Sequence, residues 1–136
     1  MRGLQPVPAP DPAELESVYA SACQALQAGQ LPQAQALFTL LLTRAPSELR
    51  FLSGLGRVSA LQGNFELAAG LYALAWHRDR SELRLLLPWA EALIGLGSNA
   101  PARFLLRALC LGGAGDAALA RSVQRAQALL ELLSHG

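Results

Sequence analysis

A short motif returns every 34 residues along this chain of 136 residues and constrains its fold more than any other feature. The run Ser-Glu-Leu-Arg at 47–50 returns at 81–84, and Ala-Glu-Leu-Glu stands in the same register at 13–16. This period is typical of a helix-turn-helix repeat, which binds partners along an extended surface and not in one closed pocket. Three sets of small residues also recur every 34 residues. They are Gly29, Gly63 and Gly97, followed by Ala34, Ala68 and Ala102, and lastly Ala22, Gly56 and Ala90.

Leucine and alanine supply most of the apolar content of the chain. Hydrophobic residues account for 52% of the sequence and aromatic residues for only 6%. Because Leu and Ala are strong helix formers, this composition predicts an all-α protein. The formal net charge is +1, there is no lysine, and the arginines are scattered. Nucleic acid is therefore not expected as a partner, since phosphate binding needs a clustered basic face.

No stretch of the sequence predicts a membrane span or a secretory signal. The longest apolar candidate, 85–97, contains Pro88 and Glu91, so we expect a buried helix there and no direct membrane insertion. Residues 1–6 lack the apolar core of a signal peptide, so we expect a cytoplasmic protein.

No constellation of residues predicts catalysis or a bound cofactor. Cys23 and Cys110 lie in different units without metal-ligand spacing, and His77 and His135 are isolated, so no metal site is expected. The glycine-rich run at 112–115 lacks the Lys and Ser/Thr that a phosphate-binding loop needs. We predict that the protein is not an enzyme and needs no cofactor.

Proline and glycine positions divide the chain into predicted segments. The prolines within residues 1–12 favour an extended, flexible arm. Asp11 is expected to cap the first helix, with Pro12 at its first position. Three units fill 13–115, at 13–46, 47–80 and 81–114, and a C-terminal capping helix occupies 116–136, with Asp116 as its cap.

The sequence also predicts how the first helices of the second and third units begin. Ser47 and Ser81 are expected to cap their first helices. Pro88 falls where the register expects the second turn of a helix, and proline there removes a backbone donor and clashes with the preceding turn. We therefore expect either a late start near Leu86 or a bend.

The repeat positions match the general pattern of tetratricopeptide repeats. Ala34 is followed by Phe38, and Ala68 by Tyr72, as in the second helix of such a unit. Phe38, Tyr72 and Leu106 are expected to fill the space between units. We predict three tandem tetratricopeptide-like helix-turn-helix repeats in a short superhelical solenoid that ends in a capping helix.

The outward stripe of the first helices is the predicted binding surface, because these helices line the inner curve of such a solenoid. It combines an apolar floor with an arginine rim, which suits an extended peptide. Leu26, Leu61, Leu87 and Ile94 are expected to have no core role. The stripe consists of Glu16, Tyr19, Cys23, Leu26 and Gln27 in the first unit, Arg50, Ser53, Arg57, Ala60 and Leu61 in the second, and Arg84, Leu87, Glu91 and Ile94 in the third.

The second unit points to one family within this class. Residues 50–56 are Arg-Phe-Leu-Ser-Gly-Leu-Gly, and residues 62–68 are Gln-Gly-Asn-Phe-Glu-Leu-Ala. The chain thereby resembles the type III secretion chaperones of class II, whose second repeat typically has Arg-Phe-x-x-Gly-Leu-Gly, then Gly, an aromatic residue and Ala. Tyr72, Ala75 and Asp79 continue the likeness.

The resemblance implies a cytoplasmic bacterial chaperone that keeps secreted translocators, the pore-forming subunits, soluble and export-competent. Such chaperones take up an extended Pro-x-Leu-x-x-Pro segment on the concave face through aromatic-lined pockets. In this sequence those pockets correspond to Tyr19, Cys23, Leu26 and Leu31. Only Tyr19 keeps the aromatic residue that is usual there. Members of the family usually dimerise through a longer helical segment before the first repeat, whereas this chain has a short arm there. The resemblance therefore leaves open whether the protein forms a homodimer.

Two other functions fit the same repeats. One is a chaperone for an effector or needle subunit of the same secretion system. The other is a general repeat scaffold or regulatory adaptor that joins two partners.

Overall fold

The computed structural model describes residues 11–135, and every regular element within them is helical. Two 3₁₀ turns, Leu83–Leu85 and Ala117–Leu119, precede the fifth and seventh α-helices. The predicted all-α fold is therefore confirmed. The α-helices are α1 Pro12–Gln27, α2 Leu31–Arg44, α3 Leu49–Leu61, α4 Phe65–Arg78, α5 Leu86–Gly95, α6 Asn99–Gly112 and α7 Ala120–Ser134.

Helices α1 to α6 form three pairs, and α7 packs on the last of them. Each predicted unit contains one pair of helices, although α1 begins at Pro12, one residue before the first predicted unit. Most of the predicted arm at 1–12 lies outside the described residues. Pro12 is the first residue of α1, and the Asp11 side chain accepts a hydrogen bond from the Ala13 N–H at 3.0 Å, so the cap predicted there is confirmed. No helix within residues 11–135 is long and apolar enough to span a membrane.

The glycines of the repeat register close the first helix of each pair. Gly29, Gly63 and Gly97 have φ values of 73°, 80° and 78°, in the left-handed region that favours glycine. The residue after each glycine donates its N–H to the carbonyl five residues earlier, which is the Schellman arrangement. These bonds are Gln30 to Ala25 at 2.9 Å, Asn64 to Ser59 at 2.8 Å and Ser98 to Leu93 at 2.8 Å.

The predicted caps at Ser47 and Ser81 are wrong, because neither serine side chain accepts a hydrogen bond from the start of its helix. Helix α3 begins after Glu48, and no side chain caps it. Ser81 instead donates its hydroxyl to the Asp79 carboxylate at 2.6 Å. The Glu82 side chain then accepts from the Arg84 N–H at 3.3 Å and starts the 3₁₀ turn. At the C-terminal helix the predicted Asp116 cap is present.

Pro88 delays the start of its helix. Helix α5 begins at Leu86, after the 3₁₀ turn, so Pro88 occupies its first turn, where a backbone N–H has no partner within the helix. The late start near Leu86 is therefore confirmed. Helix α5 has 10 residues, whereas α1 has 16 and α3 has 13.

Small residues let the helices approach closely, as the register predicts. A Cβ atom at Gly56 would lie 3.0 Å from the Tyr72 ring, and one at Gly54 would collide with the Phe38 ring. Ala22, Ala90, Phe38, Tyr72 and Leu106 are all buried. At the C-terminal end, Ala126 and Leu129 of α7 join the last hydrophobic cluster, against which Val123, Leu130 and Leu133 also pack.

Candidate functional site

A groove runs along the inner face of the solenoid, where the first helices of the three pairs meet. Its wider part is a cavity of about 350 Å³ between α1, α3 and the start of the third pair. A narrower part of about 230 Å³ continues between α3, α4 and α5. Arg57, Tyr72 and Pro88 line both parts. We call the two parts together the inner groove.

Most of the predicted stripe lies in this inner groove. The residues from the second repeat link its two parts, because Arg57 lines both of them. The wider part is lined by Tyr19, Cys23, Leu26, Arg50, Ser53 and Arg84, and the narrower part by Ala60, Leu61 and Glu91.

Five predicted residues do not line the inner groove, namely Glu16, Gln27, Leu31, Leu87 and Ile94. Leu31 is half-buried and packs against the first hydrophobic cluster. Leu87 and Ile94 are half-buried against the last cluster, so the expectation that they have no core role is wrong. Leu26 also packs on the first cluster while it lines the groove. Of the four residues expected to have no core role, only Leu61 is largely exposed, at 53%.

An aromatic cluster forms one wall of the wider part. The Tyr19 ring meets Phe38 edge-on, with centroids 6.2 Å apart, and lies 5.6 Å from Phe51. Such pairs are favourable beyond their burial of apolar area. Two of the three rings come from α2 and α3. The aromatic surface that α1 lacks at Cys23 and Leu26 is thus partly supplied by neighbouring helices.

Arg50 covers this cluster and is held in place by acidic partners. Its guanidinium lies 4.6 Å from the Tyr19 ring centroid, and its nitrogens reach the Glu16 carboxylate at 2.6 and 3.2 Å. Glu48 accepts a further bond at 3.1 Å. The hydrogen bonds from Arg50 lower the pKa of Glu16, and burial raises the pKa of Tyr19. Arg50 therefore forms part of the groove wall, and its charge is already paired with Glu16 and Glu48.

The floor of the inner groove contains residues that the stripe alone does not predict. Phe38 and Tyr72 are expected only as packing residues, yet both line the groove. The Phe38 ring packs directly against Gly54, where a Cβ atom would collide with it, and is only 1% exposed. Burial raises the pKa of Tyr72 to about 12, so its hydroxyl is a neutral hydrogen-bonding group at physiological pH. The recurrence of Phe38 and Tyr72 at the same register position indicates their packing role, but the sequence alone gives no signal that both also line the groove.

The charged side chains of the groove lie at its edge. Arg57, Arg84 and Glu91 are exposed, and they form no ion pair within the described part of the chain. They remain available to a bound chain. Within residues 11–135, no cluster of three His, Cys, Asp or Glu side chains could hold a metal ion. An apolar floor with a charged edge can hold a polypeptide segment by its side chains.

Fold and groove together define a tetratricopeptide-like solenoid with an apolar groove on its inner face. No family model and no curated protein sequence matches the chain. The TPR2B domain of yeast Sti1, solved as a complex with pHsp70, shares this fold with a TM-score of 0.80 at 20% identity, covering 90% of this chain and 98% of that domain.

More specifically, the structural neighbours of the chain are type III secretion translocator chaperones, as the sequence predicts. SycD of Yersinia enterocolitica, solved with a peptide of the translocator YopD, is 26% identical, with a TM-score of 0.86 over 91% of this chain and 95% of SycD. PcrH of Pseudomonas aeruginosa, solved with the chaperone-binding region of PopD, is 26% identical, with a TM-score of 0.87 over 95% and 97% of the two chains.

Proposed function

We propose that the protein is a cytoplasmic bacterial chaperone of a type III secretion system, which binds an extended segment of a secreted translocator in its inner groove. It acts by binding and not by catalysis. One observation carries the proposal: an apolar inner groove with an aromatic wall occurs in a chain whose neighbours SycD and PcrH were solved with translocator segments.

The groove suits an extended segment better than a helix. Alternate side chains of an extended segment point the same way, so one row of them can reach a long floor. Prolines in a Pro-x-Leu-x-x-Pro segment preset an extended backbone and reduce the entropy that binding must remove. The buried rings of Phe38 and Tyr72 form the base of the floor beneath an apolar anchor, while Ser53 and Arg57 offer polar contacts from α3.

The predicted site residues divide by role within this proposal. Tyr19, Cys23 and Leu26 form the apolar wall against which an anchor side chain packs. Arg57 and Arg84 face the backbone carbonyls or acidic side chains of the segment, since neither is paired within residues 11–135. Arg50 holds Tyr19 in position through its stacked guanidinium.

The experiment is a pull-down with the chaperone-binding region of PopD as probe, followed by co-expression with translocators encoded beside this chain. Tyr19→Ala combined with Leu26→Asp should abolish binding, because the wall is removed and a charge is placed on the apolar floor. Leu132→Asp is the matched control, since Leu132 is 66% exposed on α7, far along the chain from the groove.

Circular dichroism must show that the double variant keeps its helices. Undiminished capture of the translocator by the double variant would contradict the groove assignment. Capture of an effector or needle subunit, with no translocator bound, would replace the proposed client. Binding of no secreted protein at all would favour the scaffold function.

A further inference from the structure

A second apolar depression lies on the outer side of the solenoid, between α4 and α6 with α5 as its floor. Its volume is about 580 Å³, and it shares no residue with the inner groove. We call it the outer cleft, and its principal lining residues are Trp76, Leu86, Trp89, Leu93, Pro101 and Phe104.

The outer cleft contains aromatic residues that the repeat register does not require. Both tryptophans of the chain line it, together with Phe104. The corresponding positions 34 residues earlier are Leu42, Leu55 and Gly70. Leucine and glycine occupy the equivalent junction, so the third pair presents more aromatic surface there: Trp76 and Trp89 also pack on the hydrophobic clusters, whereas Phe104 is largely exposed. Tryptophan is also the residue type most enriched at energetic centres of interfaces.

Helix α6 exposes large apolar side chains at the outer cleft, where Phe104 lines it, and further along the helix at Leu111. Phe104 is 72% exposed and Leu111 is 82% exposed, the two highest values among large apolar residues within residues 11–135. They are seven residues apart in α6 and so lie on one face of the helix. Large apolar side chains exposed beside an apolar cleft point to an interaction surface.

The charge beside this patch selects the kind of partner. Arg107 lies between Phe104 and Leu111 on the same face of α6 and is exposed. Helix α6 also contains Arg103 and has no acidic residue, and neither arginine forms an ion pair within residues 11–135. A second copy would place arginine against arginine at this face. A partner with carboxylates would be attracted.

We propose that the outer cleft binds an amphipathic helix of a partner protein, whose apolar stripe packs on Trp76, Trp89 and Phe104 and whose acidic flank faces Arg107. Two neighbouring helices form the walls of the cleft, and a helix lays its apolar face into such a groove through residues at i, i+3, i+4 and i+7. This site goes beyond the inner groove, and it allows the protein to hold an extended segment and a helical segment at once.

Tryptophan fluorescence tests the proposal directly, because both tryptophans of the chain lie in the outer cleft. The probes are two synthetic amphipathic helices with one leucine stripe, flanked by Glu in one peptide and by Lys in the other. The Glu-flanked helix should change the emission saturably and bind more tightly. Phe104→Asp should weaken its binding about tenfold or more. Arg107→Glu should transfer the preference to the Lys-flanked helix.

Variants of the inner groove separate this proposal from the chaperone function. Tyr19→Ala with Leu26→Asp should lose the PopD segment and keep the Glu-flanked helix, whereas Phe104→Asp should do the reverse. No saturable change with either helix would overturn the proposal, as would equal binding of the Glu-flanked helix by Phe104→Asp. Self-association in sedimentation experiments that Phe104→Asp abolishes would assign the cleft to a second copy and overturn it too.

Discussion

The inner groove and the outer cleft both present aromatic side chains, but they hold them in opposite ways. In the groove, Phe38 is 1% exposed, and Tyr19 is covered by Arg50, whose charge is paired with Glu16. In the cleft, Phe104 is 72% exposed and the neighbouring Arg107 is unpaired within residues 11–135. The groove is thus preorganised by internal contacts, which reduces the ordering cost of binding. The cleft is left uncovered.

The largest expected difference is in the free energy of unfolding, between a substitution at Phe38 and the same substitution at Phe104. Phe38→Ala should lower the free energy of unfolding by about 3 to 5 kcal/mol, because it leaves a cavity under the groove floor. Phe104→Ala should change it by no more than about 0.5 kcal/mol, since the side chain is mostly in solvent. Urea denaturation of both variants measures the contrast. Similar losses for the two would show that Phe104 has a packing role.

The second contrast compares two glycines within helices. Gly54→Ala should cost about 1 to 3 kcal/mol, because its Cβ would collide with the buried Phe38 ring. Gly70→Ala should instead stabilise by about 0.5 to 1 kcal/mol, since Gly70 lies inside α4 with no atom near a new Cβ. Thermal unfolding should therefore move in opposite directions for the two variants. A shift in the same direction would contradict the close contact at Gly54.

The third prediction concerns Tyr72 at alkaline pH. Burial raises its pKa to about 12 from an ordinary value near 10, so the fold favours the neutral phenol. Its contribution to stability is complete below pH ~10 and is lost as pH rises through ~12. Wild type should lose up to about 2 kcal/mol more than Tyr72→Phe over that interval. Parallel stability curves for the two proteins would refute the burial of a titrating hydroxyl.

The smallest expected effect comes from the ion pair that holds Arg50. Arg50 lowers the pKa of the exposed Glu16, so the pair contributes above the ordinary pKa of glutamate and is lost as pH falls through the lowered value. Glu16→Gln should destabilise slightly at neutral pH and low salt, and the difference should vanish at high salt or in acid. Urea unfolding at pH 7 and pH 3 provides the test. A difference that persists in acid would mean that Glu16 acts through packing.

Much of the architecture was predictable because the repeat uses chemically specific residues. Only glycine readily adopts the left-handed conformation at Gly29, Gly63 and Gly97, so its recurrence predicts where each first helix ends. The Asp11 cap and the late start before Pro88 follow from equally local chemistry. Most of the inner groove follows from the same register, because equivalent positions on equivalent helices face one side.

The remainder depends on departures from the register. The third pair starts with a 3₁₀ turn, which has fewer residues per turn than an α-helix, so side-chain directions cannot be transferred from the first two pairs. Leu87 and Ile94 are buried there instead of facing the groove. The roles of Phe38 and Gly54 in the floor require the distance between two helices, which spacing along one helix does not contain. The outer cleft likewise joins residues from three helices.

The ion pair between Glu16 and Arg50 joins two positions that are one whole unit apart. Arg84 stands one further unit along the chain. A shortened chain without 47–80 would therefore place Arg84 one unit after Glu16, at the register position that Arg50 holds. Loss of one whole repeat would thus keep opposite charges at this junction, but the arginine would stand on a 3₁₀ turn and not on an α-helix.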